Sequence, residues 1–116
     1  MLFGSADRDI VLTDVERAAR CAEQAWPHPG DTLCCGNLGN VEFLNEAAVL
    51  LGRPGLREQA SRRLTAIIDA ANVRGEYLFD GIDKRFSLGL FRGLAGVGYT
   101  LLRQVEPQLP NLLIWA

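Results

Sequence analysis

The chain has 116 residues, the size of one domain, and folding at this length buries about two thirds of the surface of the unfolded chain. Its 12 basic and 14 acidic residues give a net charge of -2, and the basic residues are scattered except for Arg62 and Arg63. This distribution argues against nucleic acid or an anionic membrane as the main partner. The sequence has no secretory signal and no apolar run long enough to span a membrane. We therefore expect a cytoplasmic protein.

The first predicted helix lies in TDVERAARCAEQAW, residues 13–26. Thr13 and Glu16 have the spacing of a capping box, in which two side chains satisfy free amide groups at a helix start. Apolar residues then recur at helical spacing, with Cys21 beside them, and we interpret Cys21 as a small core residue. WPHPGD ends the helix, because proline lacks the amide hydrogen and restricts the residue before it.

Three further helices are predicted. The second begins near Asn37 and ends at Gly52, and the third starts at Pro54 and covers PGLREQASRRLTAIIDAANVRG. After the loop EYLFDGIDKRFS, the fourth occupies GLFRGLAGVGYTLLRQ, and PQLP stops it. The pattern predicts an all-α fold. On the third helix we interpret the charged face as a solvated surface; it carries Arg57, Glu58, Arg62 and Arg63.

An internal repeat links the second and fourth helices. LCCGNLGNVEFL aligns with LFRGLAGVGYTL at an offset of 57 residues, so that Gly36 and Gly39 correspond to Gly93 and Gly96. Because glycine inside a helix costs on the order of 1 kcal/mol relative to alanine, two matching pairs indicate that another backbone or a ligand comes close. The alternative is that these glycines only terminate loops.

A repeat of this length holds an outer amphipathic helix and a more apolar inner helix. Such pairs form α-solenoids or closed α/α-barrels, which need at least about three copies to bury a continuous core. The chain holds about two copies. The repeat therefore predicts a part of a larger toroid.

The two motifs also carry a family resemblance. LCCGNLGN, followed by FSLGLFRGLAGVGYTLLR and PQLPNLLIWA, resembles the C-terminal end of the lanthionine synthetase C-like cyclases. The match is closest to the cyclase domain of the class II bifunctional lanthipeptide synthetases. It covers residues 31–116 well and residues 1–30 only as a preceding outer helix. The resemblance implies that residues 1–116 are a C-terminal fragment of an α/α-toroid.

The resemblance also implies a metal site and a reaction. These cyclases hold one zinc with a cysteine from an earlier repeat and an adjacent pair, which falls here on Cys34 and Cys35. Many relatives have histidine at the second of these positions. The metal-activated thiol of a dehydrated precursor peptide adds to dehydroalanine or dehydrobutyrine and closes a thioether ring. The implied partners are that peptide and the remainder of the synthetase chain.

The residues alone leave the role of Cys34 and Cys35 open. Adjacent thiols at a helix start suit metal ligation, because the helix dipole and free amides stabilise thiolates, but cysteine is also often a small buried residue. Two ligands are one fewer than the three of a typical catalytic zinc site. Cys21 and the loop residue His28 match no motif of the family, and we expect His28 to be solvated.

Two acidic residues flank the cysteine pair, and two functions stay open. We interpret Asp31 and Glu42 as surface acids rather than as partners of the metal ligands, and assign them no role. One function is a segment of a zinc-dependent cyclase, inactive alone because the third zinc ligand and the acid/base residue lie in earlier repeats. The other is a non-catalytic helical module that binds metal or a protein.

Overall fold

The computed structural model describes residues 5–79 and 87–114, which form helices and no strand. This part of the chain is all-α, as the sequence predicts. The predicted loop at 76–87 falls mostly outside the described residues. Within the described residues, no helix has the length and apolar character needed to cross a bilayer. The helices are α1 (Ser5–Gln24), α2 (Asn37–Leu51), α3 (Pro54–Arg74) and α4 (Leu94–Val105).

Helix α2 is the centre of the packing, because α1, α3 and α4 all contact it. A helix surrounded in this way is apolar on most of its sides, and Leu38, Val41 and Leu44 of α2 are fully buried. The other helices each turn one apolar face toward α2. The buried core consists of Ala19, Leu38, Val41, Leu44, Ala47, Ala48, Leu56, Ala60, Ile67 and Val97.

The turn between α2 and α3 and the end of α3 follow their local signals. Gly52 adopts a left-handed conformation with φ of 60°, and its amide and that of Arg53 donate to carbonyls of the last turn of α2. Pro54 occupies the first turn of α3, and Gly75 ends that helix with φ of 86°. These predicted boundaries are confirmed, because glycine reaches positive φ and proline suits a helix start.

Helix α1 begins earlier than predicted. Thr13 lies inside it, and the Thr13 hydroxyl donates to the carbonyl of Asp9 at 2.8 Å. A threonine that bonds back to the preceding turn is compatible with a helix interior, so the predicted capping box is wrong. Glu16 instead pairs with Arg53, at 2.5 Å between Oε1 and the guanidinium, and this contact joins α1 to the start of α3.

Arg63 is buried, contrary to the prediction that it lies on a solvated face. Its guanidinium donates to the carbonyls of Ala22 and Glu23 at 2.9 Å each, and to Oδ1 of Asn40 at 2.5 Å. It also lies 5.1 Å from the ring centroid of Trp26. Burial lowers the pKa of Arg63, and the charge of Glu23 opposes this. The prediction failed because the last carbonyls of α1 need a donor, which α3 supplies.

Helix α4 begins at Leu94, later than predicted, because residues 90–93 form a turn. A buried ion pair joins α4 to α2 through Arg103 and Glu42. Glu42 is thus no surface acid, and its second carboxylate oxygen has no hydrogen-bond partner among the described residues. Burial lowers the pKa of Arg103, whose Nε also donates to the Leu109 carbonyl at 3.0 Å.

Candidate functional site

The segments that precede α2 and α4 have the same backbone geometry. The amide of Asn37 donates to the Gly30 carbonyl at 2.9 Å, and the amide of Leu94 donates to the Ser87 carbonyl at 2.8 Å. Donors and acceptors in the two bonds are both 57 residues apart. The predicted sequence repeat is therefore a structural repeat, and we call these segments, residues 30–36 and 87–93, the repeated turns.

The first glycine of each pair closes its repeated turn tightly. A Cβ atom added to Gly36 would lie 2.6 Å from the Gly30 carbonyl oxygen and 2.8 Å from that of Thr32. A Cβ on Gly93 would lie 2.5 Å from the amide nitrogen of Gly89. All of these neighbours are backbone atoms, which cannot rotate away. The predicted close approach is confirmed here, and the approaching group is the backbone.

The second glycine of each pair faces the middle of its own turn. A Cβ on Gly39 would overlap the carbonyl oxygen of Leu33, and one on Gly96 would overlap that of Leu90. The two repeated turns also contact each other directly, because the amide of Cys34 donates to the Phe91 carbonyl at 2.8 Å. The other repeated turn therefore holds the backbone of Cys34.

The cysteine pair projects from the first repeated turn. The Sγ atoms of Cys34 and Cys35 are 3.2 Å apart, and both residues are exposed, so the interpretation of the pair as small buried residues is wrong. The pKa of the Cys34 thiol is raised, chiefly by its hydrogen bond with Cys35 and then by partial desolvation and the charge of Cys35, while Arg92 opposes the shift. Two accessible thiols thus share one point on the surface.

An open cleft of about 350 Å³ lies beside the two thiols. His28 lines it from the loop after α1, and its Nδ1 accepts a hydrogen bond from the Gly30 amide at 3.0 Å. His28 is half-buried and bonded, not the solvated loop residue that the sequence predicts. The other lining side chains are mostly apolar and come from the turn after α1, from α2 and from the C-terminal segment: Ala25, Asn40, Phe43 and Leu113.

A buried polar network fixes the loop that carries His28. Oδ1 of Asn37 accepts from the His28 amide at 2.7 Å, and its Nδ2 donates to the His28 carbonyl and to Asp31, both at 2.9 Å. Asp31 also accepts from the Leu78 amide at 3.0 Å and from Arg74 at 3.3 Å. Asp31 is therefore a buried structural residue and not a surface acid.

The two asparagines of GNLGN have structural roles that were not predicted from the sequence. Asn37 holds the loop that carries His28, and Asn40 lines the cleft while its Nδ2 donates to the Ala22 carbonyl at 2.8 Å. The available signal was their position: two asparagines one turn apart at the start of an apolar helix. Asparagine is unfavourable inside a helix, so Asn40, one turn into α2, indicates a specific hydrogen-bonding task.

The potential metal ligands beside the cleft are of a type that zinc binds, but they are too few for a typical catalytic site. Zinc takes thiolate ligands, and a typical catalytic site uses three protein ligands. Across residues 5–79 and 87–114, no group of three or more histidine, cysteine, aspartate or glutamate side chains could hold a metal ion. Cys21 does not complete the set, and it is exposed rather than in the core. Of the predicted site residues, the structure brings Cys34 and Cys35 together, and His28 lines the same cleft.

Comparison with known proteins places the chain in a family. Residues 13–114 match the family model described as "Lanthionine synthetase C-like protein". No curated protein and no solved structure shows a significant match. The matched range includes the cysteine pair, both glycine pairs and helices α2 to α4. With this match over most of its length, the chain belongs to the lanthionine synthetase C-like family.

Proposed function

We propose that this chain is the C-terminal segment of a lanthipeptide cyclase, completed by further repeats of an α/α-toroid. The observation that carries the proposal is the family match over residues 13–114, combined with two accessible thiols at a repeated turn. The repeat supports the architecture, because units that share one backbone geometry can continue in the same way. The substrate class is a dehydrated peptide that contains cysteine together with dehydroalanine or dehydrobutyrine.

Cys34 and Cys35 would hold a zinc ion, with the third ligand supplied from outside the described residues. When bound, zinc lowers the pKa of a coordinated substrate thiol and so supplies a thiolate nucleophile at neutral pH. The sulfur of that thiolate would bond to the β-carbon of the dehydrated residue, and a proton would be delivered to the α-carbon. We assign no residue of this chain to the proton transfer.

The residues of the chain itself orient and enclose the reacting groups. The hydrogen bond from Cys34 to Phe91 and the tight glycine packing hold the thiols at the edge of the cleft. Phe43 and Leu113 give the cleft an apolar wall, which would exclude water and contact the peptide beside its reacting cysteine. Rigid support of this kind is what positions a reactive constellation.

The metal proposal is tested by a zinc titration of the purified chain. Because Cys34 and Cys35 are one ligand short of a typical catalytic site, we expect weak zinc binding in the wild type and in Cys21→Ala, and loss of that binding in the double variant Cys34→Ala, Cys35→Ala. All three cysteines are exposed. Cys21→Ala therefore removes a thiol of the same exposure class and serves as the control. Zinc retained by the double variant would show that these thiols are not the ligands.

The cyclase proposal requires a second experiment, because a metal can bind without catalysis. In a chimera, the chain replaces the C-terminal segment of a cyclase of this family and follows the upstream repeats of that enzyme. The loss of free thiol from a dehydrated peptide is then measured. We expect the chimera to consume the thiol, and the chimera with Cys34→Ala and Cys35→Ala to be inactive. Zinc binding without thiol consumption would favour the metal-binding module.

A further inference from the structure

A second cleft is lined by residues of α2, α3, α4 and the turn after α4, and it shares no lining residue with the cleft beside the cysteines. Its volume is about 390 Å³, within the range of small-molecule pockets, about 300–1,000 Å³. Four charged side chains border it: Glu42, Glu46, Arg57 and Arg103. A lining of this kind suits a small polar ligand.

Glu42 brings an unused hydrogen-bond acceptor to the second cleft. Its side chain is 2% exposed, and its Oε2 pairs with Arg103, whereas Oε1 has no partner among the described residues. Buried polar atoms are nearly always hydrogen-bonded. A ligand that donates to Oε1 would therefore gain a hydrogen bond without displacing one that this oxygen already makes. The strongest donors to a carboxylate are charged groups such as an ammonium.

Arg57 supplies the complementary charge from α3. It is exposed, and its side chain forms no ion pair or hydrogen bond within the part of the chain that the structure describes. Arg103 is already engaged, because it contacts both glutamates and the Leu109 carbonyl. Two carboxylates and two guanidinium groups balance, and an added net charge would stay without a partner, which costs free energy. The lining therefore favours a ligand with one cationic and one anionic group.

Apolar surface beside these charges narrows the ligand class. Val49 and Pro107 also line the second cleft, and Val49 is 66% exposed. An aliphatic group placed on Val49 would remove apolar area from water. The simplest molecule that combines an ammonium, a carboxylate and an aliphatic group is an α-amino acid.

We propose that the second cleft binds a free α-amino acid with an aliphatic side chain. The ammonium group donates to Oε1 of Glu42, the carboxylate pairs with Arg57, and the aliphatic side chain covers Val49. This site uses neither the cysteine pair nor a metal, so it goes beyond the proposed function.

The test titrates the purified chain with leucine by isothermal calorimetry. Two matched ligands each lack one charged group: 3-methylbutylamine has no carboxylate, and 4-methylpentanoate has no ammonium. We expect one leucine to bind per chain. Each matched ligand should bind at least about tenfold more weakly, because each loses one charge-assisted contact.

Variants locate the binding within the second cleft. Arg57→Ala should weaken leucine binding by about tenfold, whereas Arg62→Ala removes an exposed arginine of the same helix outside the cleft and should leave binding unchanged. Glu42→Gln keeps the shape of the side chain and removes its charge, and it should weaken binding at least as much as Arg57→Ala. Circular dichroism checks that this variant is folded, and the exposed Arg57 tests the site independently of that result.

Two results would overturn the site. One is the absence of saturable leucine binding, as expected if Oε1 of Glu42 bonds only to water, and the other is equal binding by the wild type and Arg57→Ala. The outcome is separable from that of the zinc titration. The double variant Cys34→Ala, Cys35→Ala should bind leucine as the wild type does, because the two clefts share no lining residue.

Discussion

Gly96 and Gly98 lie two residues apart in α4 and differ in their surroundings. A Cβ on Gly96 would overlap the Leu90 carbonyl oxygen and lie 3.3 Å from Cβ of Leu33, whereas nothing lies within 4 Å of a Cβ on Gly98. We expect Gly96→Ala to reduce the free energy of unfolding by about 1–3 kcal/mol through overpacking. Gly98→Ala should increase it by about 0.5–1 kcal/mol, the helix preference for alanine.

Urea unfolding of the two variants and the wild type measures this difference directly. Both substitutions add one methyl group to the same helix, so helix propensity is matched and only the surroundings differ. If both variants gain stability, the repeated turn can yield to a Cβ. The glycine pairs would then only terminate loops, as the alternative interpretation of the sequence states.

Arg63 and its neighbour Arg62 provide a second matched pair. Arg63 supplies donors to the last turn of α1 and to Asn40, while Arg62 is exposed. We expect Arg63→Ala to lower the free energy of unfolding by about 2–4 kcal/mol, because buried carbonyls and the Asn40 amide lose a charged donor. Arg62→Ala should change it by less than about 0.5 kcal/mol.

Thermal or urea unfolding of both arginine variants checks the comparison. Arg63→Lys is a further variant for this comparison, because one ammonium group cannot reproduce the planar guanidinium that reaches three acceptors. We expect only partial recovery from lysine. Equal effects of Arg62→Ala and Arg63→Ala would show that the observed network contributes little to stability.

At the scale of elements, local chemistry explains which helix boundaries could be predicted. The ends of α2 and α3 were predictable because Gly52 and Gly75 adopt positive φ and Pro54 suits a first turn, all properties of single residues. The start of α1 was not, because Thr13 can either cap a helix or bond back within one. The start of α4 depends on a hydrogen bond to Ser87, outside the apolar pattern.

In the candidate site and its surroundings, too, some residue roles could be predicted from local sequence and others could not. Cys34 and Cys35 were predictable from the adjacent thiols and glycines, which share one short segment. The roles of Arg63 and Glu42 were not, because their partners lie on other helices: Arg63 bonds Ala22 from 41 positions away, and Glu42 pairs with Arg103 of α4. Charge on a predicted helix face indicates solvent unless a distant partner compensates its burial.

That buried ion pair contributes to the attachment of α4 to α2, beside the core residue Val97. We expect Arg103→Met to lower the free energy of unfolding by about 3 kcal/mol, because Glu42 would be left as a buried charge without its partner. Adding Glu42→Leu should recover most of the loss, since two apolar side chains can replace a buried pair. A double-mutant cycle by urea unfolding measures the coupling, and additive effects of the two substitutions would contradict the pairing.

At the scale of the whole molecule, the repeat is visible within residues 5–79 and 87–114, and a closed toroid is not visible within them. The sequence predicted the 57-residue offset, and the repeated turns reproduce it in hydrogen bonds and glycine contacts. Closure into a ring is a property of how many units follow one another, and two turns in contact do not determine it. Closure into a ring is therefore part of the proposal, whereas the repeat is observed in the fold.

Helix α4 leaves apolar side chains in solvent, since α2 is the one described helix that it packs against, and that contact is small. Leu102 is 50% exposed and Val105 is 76% exposed. Contiguous apolar surface of this kind promotes association. We expect the purified chain to self-associate as its concentration rises, and Leu102→Lys with Val105→Glu to restore a monomer, measured by sedimentation velocity.

Val73 provides the matched control for this surface. It is 88% exposed on α3, so Val73→Glu also replaces an exposed apolar residue by a charge, but away from α4. If association is driven by the face of α4, Val73→Glu should leave it unchanged. A wild-type chain that stays monomeric and unfolds in one sharp transition would contradict the expectation, and it would argue that α4 needs no further repeat to cover it.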